Sequence, residues 1–271
     1  MSVTGTEAAE PLGGRAAIRS ARQLTERLAE EETLFTLLGR AIYGMPDRAL
    51  FAAMADERVF ETVPFVSTEP KTAEVEDGLA RTEQVRLAQT DLLAWTDGCA
   101  RPFSDEDFEQ VRVDYARLFV GAQKVAAPLW ESVYFNRERM VFQQQTLDVR
   151  AAYRAYGLEV ESYGHEPDDH LASELLFVAH LASVARAALE AGDADRARVA
   201  LADQRAFAHE HLLTWVGAWR DLVIARCSGP AANPTPGTAE GRTGFYRGFA
   251  RLTAAACEEA RAFAEEARAL V

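Results

Sequence analysis

Apolar residues recur along almost the whole chain at intervals of three and four, the spacing that places side chains on one face of an α-helix. One stripe runs from Ile18 to Ile42, and another begins at Leu171 and reaches Leu189. Alternation of apolar and polar residues, the pattern of half-buried strands, is not convincing anywhere. We therefore predict an all-α protein: a single globular domain of roughly ten helices.

Local stop and start signals divide this pattern into helices. The segment 44–47 contains glycine and proline, which end the first helix and begin a short second one. Ser104 and Asp107 have the spacing of a capping box in front of another helix. A later helix follows Gly192 and is expected to run to about Cys227.

The domain organisation follows from composition along the chain. Residues 1–14 are polar and acidic and are predicted to be a disordered N-terminus, followed by a helical body over 15–227. Residues 228–242 are rich in proline and glycine, which is typical of a flexible linker. Residues 243–271 form a C-terminal helix that packs on the body. Such a hinge also permits a homodimer formed by exchange of a helix or domain.

The net charge narrows the class of partner. A formal charge of −13 over 271 residues repels the phosphate backbone of nucleic acids and anionic membrane surfaces. It leaves room for a basic peptide or a cationic ligand. We therefore expect no nucleic-acid partner.

The cysteines and the apolar runs indicate the compartment. Three widely spaced cysteines form no C-x-x-C pair, and a reducing compartment is the simplest explanation of them. No signal-peptide core is recognised, and we expect no apolar run long enough to span a bilayer. The sequence thus predicts a cytoplasmic protein without stable membrane insertion.

The segment 166–171, Glu-Pro-Asp-Asp-His-Leu, stands in front of the most apolar helix and is called here the acidic lip. We expect Pro167 at the first helical position, where its missing N–H has no intrahelical partner anyway. Asp168 and Asp169 would then lie in the first turn, where the helix dipole favours carboxylates. Such a lip can hold a cation, activate a water or simply cap the helix.

The metal interpretation of the lip has candidate ligands in His165, Glu166, Asp169, His170 and Glu174. Helical di-metal sites repeat a Glu-x-x-His pattern on two helices, and this chain has none. The plainer interpretation is that one of the two aspartates caps the helix while the histidine is solvated. We therefore expect no resident metal or other cofactor.

Several segments, taken in order, carry a family resemblance. They are Tyr115-x-x-Leu118-Phe119, Pro128-x-Trp130-x-Ser132-Val133-Tyr134, Tyr156-Gly157, the acidic lip with Glu174-Leu175, and His211-Leu212-x-x-Trp215. The ordered set resembles the TorD/DmsD family of twin-arginine leader-binding chaperones, which are relatives of the NarJ chaperones. Taken singly, the aromatic positions would more often be plain core.

The resemblance implies a chaperone rather than an enzyme. Such a protein binds the leader peptide of the apo form of a molybdenum-dependent oxidoreductase in the cytoplasm. It holds the apoprotein while the cofactor is inserted and delays export. The leader-binding positions that it implies, together with the neighbouring lip residues, are Tyr115, Leu118, Phe119, Pro128, Trp130, Ser132, Glu166, Asp168, Asp169, His170 and Glu174.

The chemistry of these residues agrees with that partner. A leader arginine needs a carboxylate, which Asp168, Asp169 or Glu174 would supply, and the leader's apolar run needs an apolar groove. We hypothesise that Asp169 pairs with a leader arginine and that His170 orients it or caps the helix. Two alternatives remain open: a metal- or nucleotide-dependent hydrolase centred on His165, Asp169 and His170, and a helical scaffold whose lip only caps a helix.

Overall fold

A computed structural model of the chain describes residues 21–66, 77–121, 125–160, 167–227 and 244–271. Within these ranges there are nine α-helices and no β-strand, so the predicted all-α class is confirmed. The helices are α1 (Ala21–Ile42), α2 (Arg48–Asp56), α3 (Asp77–Gly98), α4 (Asp105–Phe119), α5 (Gln144–Ala155), α6 (Leu171–Glu190), α7 (Ala194–Phe207), α8 (Val216–Cys227) and α9 (Phe245–Leu270). Two short elements complete the order: a 3₁₀ turn at Glu131–Tyr134 and a π-helical turn at Ala208–Leu212.

Some of the sequence predictions fall outside the described ranges. The predicted disordered segment 1–14 and the predicted linker 228–242 both lie outside them. So do His165 and Glu166 of the predicted site.

The core is organised around α6 and α9. Helix α6 packs along α1 on one side and α7 on the other, while α9 packs against α3, α7 and α8. Small residues let these helices approach closely. A Cβ atom added at Gly39 of α1 would lie 2.6 Å from Cγ of Leu176 on α6, so only glycine fits there.

Helix α9 is fastened to α3 by a buried ion pair beside another close approach. Arg247 donates from Nε and Nη2 to the two carboxylate oxygens of Asp91 at 3.0 and 2.7 Å, and Arg251 also bonds Asp91. A Cβ atom on Gly248 would lie 2.8 Å from Cβ of Asp91. The last helix is thus part of the core: its buried residues include Phe249, and they continue along most of its length.

The helix boundaries confirm one local signal and correct another. The predicted capping box is present, since Ser104 Oγ accepts from Asp107 N–H and Asp107 Oδ2 accepts from Ser104 N–H, both at 3.2 Å. The helix expected to run from Gly192 to Cys227 is interrupted at Phe207. A π-helical turn at Ala208–Leu212 follows, and α8 begins at Val216.

Helix α6 also changes one expectation about membranes. By length and composition alone it is apolar enough to cross a bilayer, although no such run was expected. Most of the helix is buried inside the fold against α1 and α7. Its apolar composition is that of a core helix with neighbours on several sides.

The close approach at Gly248 gives a stability test. Gly248→Ala is expected to lower the free energy of unfolding by about 1–3 kcal/mol, because the new methyl group must displace Asp91 or Leu92. Gly217 is the matched control, since it lies in α8 with nothing within 4 Å of an added Cβ atom. Urea denaturation of both variants measures the difference. A Gly248→Ala variant as stable as Gly217→Ala would contradict the described α3–α9 packing.

Candidate functional site

Residues 167–170 of the acidic lip precede α6 instead of forming its first turn. The helix begins at Leu171, and His170 is its N-cap, with Nδ1 accepting from the N–H of Ala172 at 3.1 Å. The placement of Pro167 at the first helical position was therefore wrong, and capping by an aspartate was wrong as well. The backbone of His170 is extended because it pairs with a second segment.

That second segment is the loop that carries Trp130. The N–H of Glu131 donates to the carbonyl of Asp169 at 2.9 Å, and the N–H of Leu171 donates to the carbonyl of Leu129 at 2.7 Å. The two bonds form an antiparallel bridge in which the rings of Trp130 and His170 meet edge to face, with centroids 5.5 Å apart. We call residues 127–134 together with 167–174 the corner.

The carboxylate of Asp169 holds the corner together from inside. Its side chain is 0% exposed. Oδ2 accepts from the N–H of Ser132 at 2.7 Å, and Oδ1 accepts from Oγ1–H of Thr146 on α5 at 2.6 Å. Both oxygens are thus hydrogen-bonded within the chain, and neither is exposed to solvent. The carboxylate therefore positions the loop and α5 and offers nothing to a partner at the surface.

Asp168 is paired with an arginine of its own chain. Arg150 on α5 donates to Oδ2 from Nε at 3.0 Å and from Nη2 at 2.6 Å, and the carboxylate is 2% exposed. The hydroxyl of Tyr153 donates to the carbonyl of Asp168 at 3.4 Å. Both aspartates of the lip therefore anchor α5 to the start of α6.

Glu174 forms a buried acidic pair with Glu131 inside the corner. Neither carboxylate oxygen of Glu174 has a hydrogen bond of normal geometry to a described residue, although the indole of Trp215 lies near it. Burial, followed by the negative charges of Glu131 and Asp169, raises the pKa of Glu174 well above its ordinary value. Burial also raises the pKa of Glu131, but the hydrogen bond from Nδ1 of His211 at 3.0 Å opposes that shift.

Three of the remaining predicted site residues lie in the hydrophobic core. Tyr115, Leu118 and Phe119 are buried in α4, where Phe119 contacts the rings of Tyr246 and Trp219. These three residues belong to the core and line no surface in the described structure.

In the corner itself, Pro128 and Ser132 are buried, while Trp130 and His170 are half-buried at its edge. Among the predicted residues in the described ranges, this pair alone reaches the surface of the corner. The exposed part of the predicted site in this corner is therefore two aromatic rings, with buried carboxylates behind them.

Sequence reasoning missed the residues that complete the corner. Glu131, Thr146, Arg150 and Tyr153 bond or face the lip from up to 38 positions earlier, and no local pattern marks them. His211 was visible only as part of His211-Leu212-x-x-Trp215, and the π-helical turn brings it to Glu131.

The described residues show neither a cluster of metal ligands nor an activated cysteine. Among the described residues, no group of three or more His, Cys, Asp or Glu side chains is arranged to hold a metal ion. None of the three cysteines is in a disulfide, and burial raises the pKa of the Cys227 thiol to about 11, which disfavours the nucleophilic thiolate.

Known proteins match the segment that contains the corner. Residues 79–221 match the family model described as nitrate reductase delta subunit. The Tat proofreading chaperone DmsD of Salmonella paratyphi A is 36% identical over 84 residues, covering 31% of this chain and 41% of that protein. The chaperone protein TorD of Vibrio cholerae is 31% identical over 112 residues, covering 41% of this chain and 49% of that protein. The chain thus spans between two fifths and half of the length of these relatives.

The N-cap histidine predicts a pH dependence of stability. Burial lowers the pKa of His170 from 6.5 to about 4 in the folded state, so acidification protonates the unfolded chain first. Its contribution to stability is present above pH 6.5 and is lost as the pH falls toward 4. His170→Asn keeps a capping side chain without the titration, and it should lose less stability than the wild type over this window.

Denaturant unfolding at a series of pH values measures the effect, with His170→Ala as the control that removes the cap. That control should cost about 1 kcal/mol at neutral pH. An Asn variant whose acid loss parallels that of the wild type would refute the assignment.

The buried carboxyl of Glu174 predicts a pH dependence of stability opposite in sign to that of His170. A folded-state pKa raised above 4.5 gives stability that is complete below pH 4.5 and declines as the pH rises through the folded value. Glu174→Gln removes this decline, so the variant should gain stability relative to the wild type as the pH increases. Glu190→Gln, on the exposed end of the same helix, is the matched control. A pH-independent difference for Glu174→Gln would contradict the raised pKa.

Proposed function

Because this chain belongs to the nitrate reductase delta subunit family, which includes the TorD and NarJ chaperones, we propose that it is a chaperone for an exported molybdenum-dependent oxidoreductase. Membership confirms the resemblance found in the sequence. The proposed activity is to bind the twin-arginine leader in the cytoplasm and to hold the apoprotein until its cofactor is inserted. Two similar proteins bear the names Tat proofreading chaperone and chaperone protein, which supports this activity.

The observation that carries the proposal is the corner, which lies within the matched residues 79–221. Its bridge and its buried carboxylates hold two aromatic rings, Trp130 and His170, at a half-buried edge. A rigid aromatic edge can bind an apolar peptide segment at a small cost in side-chain entropy. We propose that Trp130 and His170 contact the leader directly.

The other predicted residues then act through these two rings. Asp168, Asp169 and Ser132 hold the loop and α5 in place, and Glu174 sits beneath them. Tyr115, Leu118 and Phe119 belong to the core, and Pro128 is buried within the loop itself. A direct role for Glu166 stays a prediction, because that residue lies outside the described ranges.

The hydrolase alternative finds no support in the corner. Asp169 has both oxygens bonded within the chain, and Nδ1 of His170 caps α6, so neither is poised to activate water. His165, the third residue of that alternative, lies outside the described ranges. A binding role without catalysis fits the residues better.

The proposal is tested first by capture from the native host. The tagged chain is purified after anaerobic growth, and co-purified proteins are identified by mass spectrometry. We expect one molybdenum-dependent oxidoreductase with its twin-arginine leader intact. Recovery of no leader-bearing protein, with the bait folded and such oxidoreductases expressed, would overturn the proposal. Light scattering of the same preparation tests the proposed homodimer.

A second test uses the tryptophans as reporters. Trp95, Trp215 and Trp219 are at most 1% exposed, so Trp130 is the tryptophan that acrylamide can quench. The synthetic leader of the captured oxidoreductase should protect wild-type fluorescence from quenching. Trp130→Phe should bind the leader and show little quenching with or without it. Leader binding measured by calorimetry without protection of Trp130 would place the peptide elsewhere.

A further inference from the structure

The folded chain has already used the carboxylates that the sequence suggested for the leader's arginines. Asp169 is bonded to Ser132 and Thr146, Asp168 is bonded to Arg150, and Glu174 is 0% exposed. A guanidinium would have to break these bonds to reach them. If the chain binds a twin-arginine leader, the carboxylates that receive its arginines lie elsewhere on the surface.

A groove beside the corner has suitable carboxylates. It lies between α5 and the end of α7 with the π-helical turn, and its volume is about 420 Å³. The nearly buried rings of Phe177 and Phe207 line its deeper part, and Ala151 and Ala155 of α5 line one wall. This is an apolar groove of the size that proteins use for small ligands or a few side chains.

Three acidic side chains line the groove: Asp148 on α5, Asp203 on α7, and Glu210 in the π-helical turn. All three are exposed. Asp148 accepts from the side-chain amide of Gln144 at 2.8 Å, and Asp203 accepts from the hydroxyl of Tyr156 at 2.6 Å. Both donors are neutral. Within the described part of the chain, none of the three carboxylates is in an ion pair with an arginine, although many other exposed carboxylates are. The groove therefore combines an apolar floor with acidic groups that have no cationic partner there.

The groove adjoins the corner on one side and an exposed leucine of α5 on the other. His211 lines the groove and bonds Glu131, the residue that follows Trp130. On α5, Leu147 lies one turn before Ala151 and is 52% exposed. A peptide with adjacent arginines and an apolar run would meet carboxylates and apolar surface side by side.

We propose that this groove binds the arginine pair of the leader, with Asp148, Asp203 and Glu210 pairing with the guanidinium groups and the alanine face of α5 contacting the adjoining apolar residues. This assignment rests on the proposed function and names the surface that recognises the basic part of the partner. Charge complementarity selects a basic segment as the occupant, since three exposed carboxylates without a cationic partner in the described structure surround an apolar floor.

The test compares a groove variant with a charge-matched control. The groove variant carries Asp148→Asn, Asp203→Asn and Glu210→Gln. The control carries Glu83→Gln, Glu109→Gln and Asp221→Asn, which remove the same charge from exposed positions on α3, α4 and α8. The probe is the synthetic leader of the oxidoreductase captured from the host, and fluorescence anisotropy measures its dissociation constant.

We expect the groove variant to weaken binding about tenfold and the control to weaken it far less. A double-mutant cycle sharpens the test. Replacing both leader arginines with glutamine should weaken binding to the wild type but change little once the groove is neutralised. Binding to the wild type should fall more steeply with salt than binding to the groove variant.

The outcomes separate the groove from the proposed function. No binding of the leader to the wild-type chain would overturn the function itself, and the groove assignment with it. Equal binding by wild type and groove variant, or additive effects in the cycle, would overturn the groove alone. Light scattering covers another occupant: a wild-type dimer that the groove variant abolishes, with leader affinity unchanged, would make the groove a self-association surface and overturn the assignment.

Discussion

The carboxylate of Asp169 joins three segments that are far apart in sequence. It receives a backbone N–H from the Trp130 loop and a hydroxyl from α5, while its own backbone carbonyl completes the bridge in front of α6. A buried carboxylate is tolerated only when hydrogen bonds replace the lost hydration, and here both oxygens have them. The position of Trp130, the start of α6 and the orientation of α5 all depend on this one group.

A second constraint is the burial of several carboxyl groups close together. Glu131 and Glu174 are buried within reach of Asp169, so three carboxyl groups share a region that excludes water. Three full negative charges there would be costly, and the raised pKa of Glu174 shows how the fold avoids this. The raised pKa of Glu174 favours its protonated form, while His211 supplies a hydrogen-bonding partner to Glu131. Corner and groove meet at this imidazole, because His211 touches both.

Local signals predicted local structure well. The Ser104–Asp107 capping box and the amphipathic last helix depend on residues a few positions apart, and both were readable in the sequence. The sequence of the acidic lip led to a wrong prediction, because its conformation depends on a distant segment. Its proline and two aspartates have the composition of a first helical turn, yet a bridge to the distant Trp130 loop holds this segment extended.

The candidate site likewise combines features that local sequence reveals with contacts that it does not reveal. The ordered motifs located the corner, since they contain Trp130, Asp169 and His170. They could not reveal that Arg150 already pairs with Asp168, because such long-range pairing leaves no periodic trace. The resemblance thus pointed to this region, and the three-dimensional contacts show that its aspartates are already bonded within the chain.

The π-helical turn at Ala208–Leu212 makes segment length a determinant of this surface. The N–H of Leu213 bonds the carbonyl of Ala208, five residues earlier, so the turn holds one residue more than a regular α-helical turn. Deleting that residue would leave a smoother helix but rotate all that follows by about 100°. The imidazole would then leave Glu131. A relative that lacked one residue between 207 and 212 would therefore have a different groove, even with all the sequence motifs unchanged.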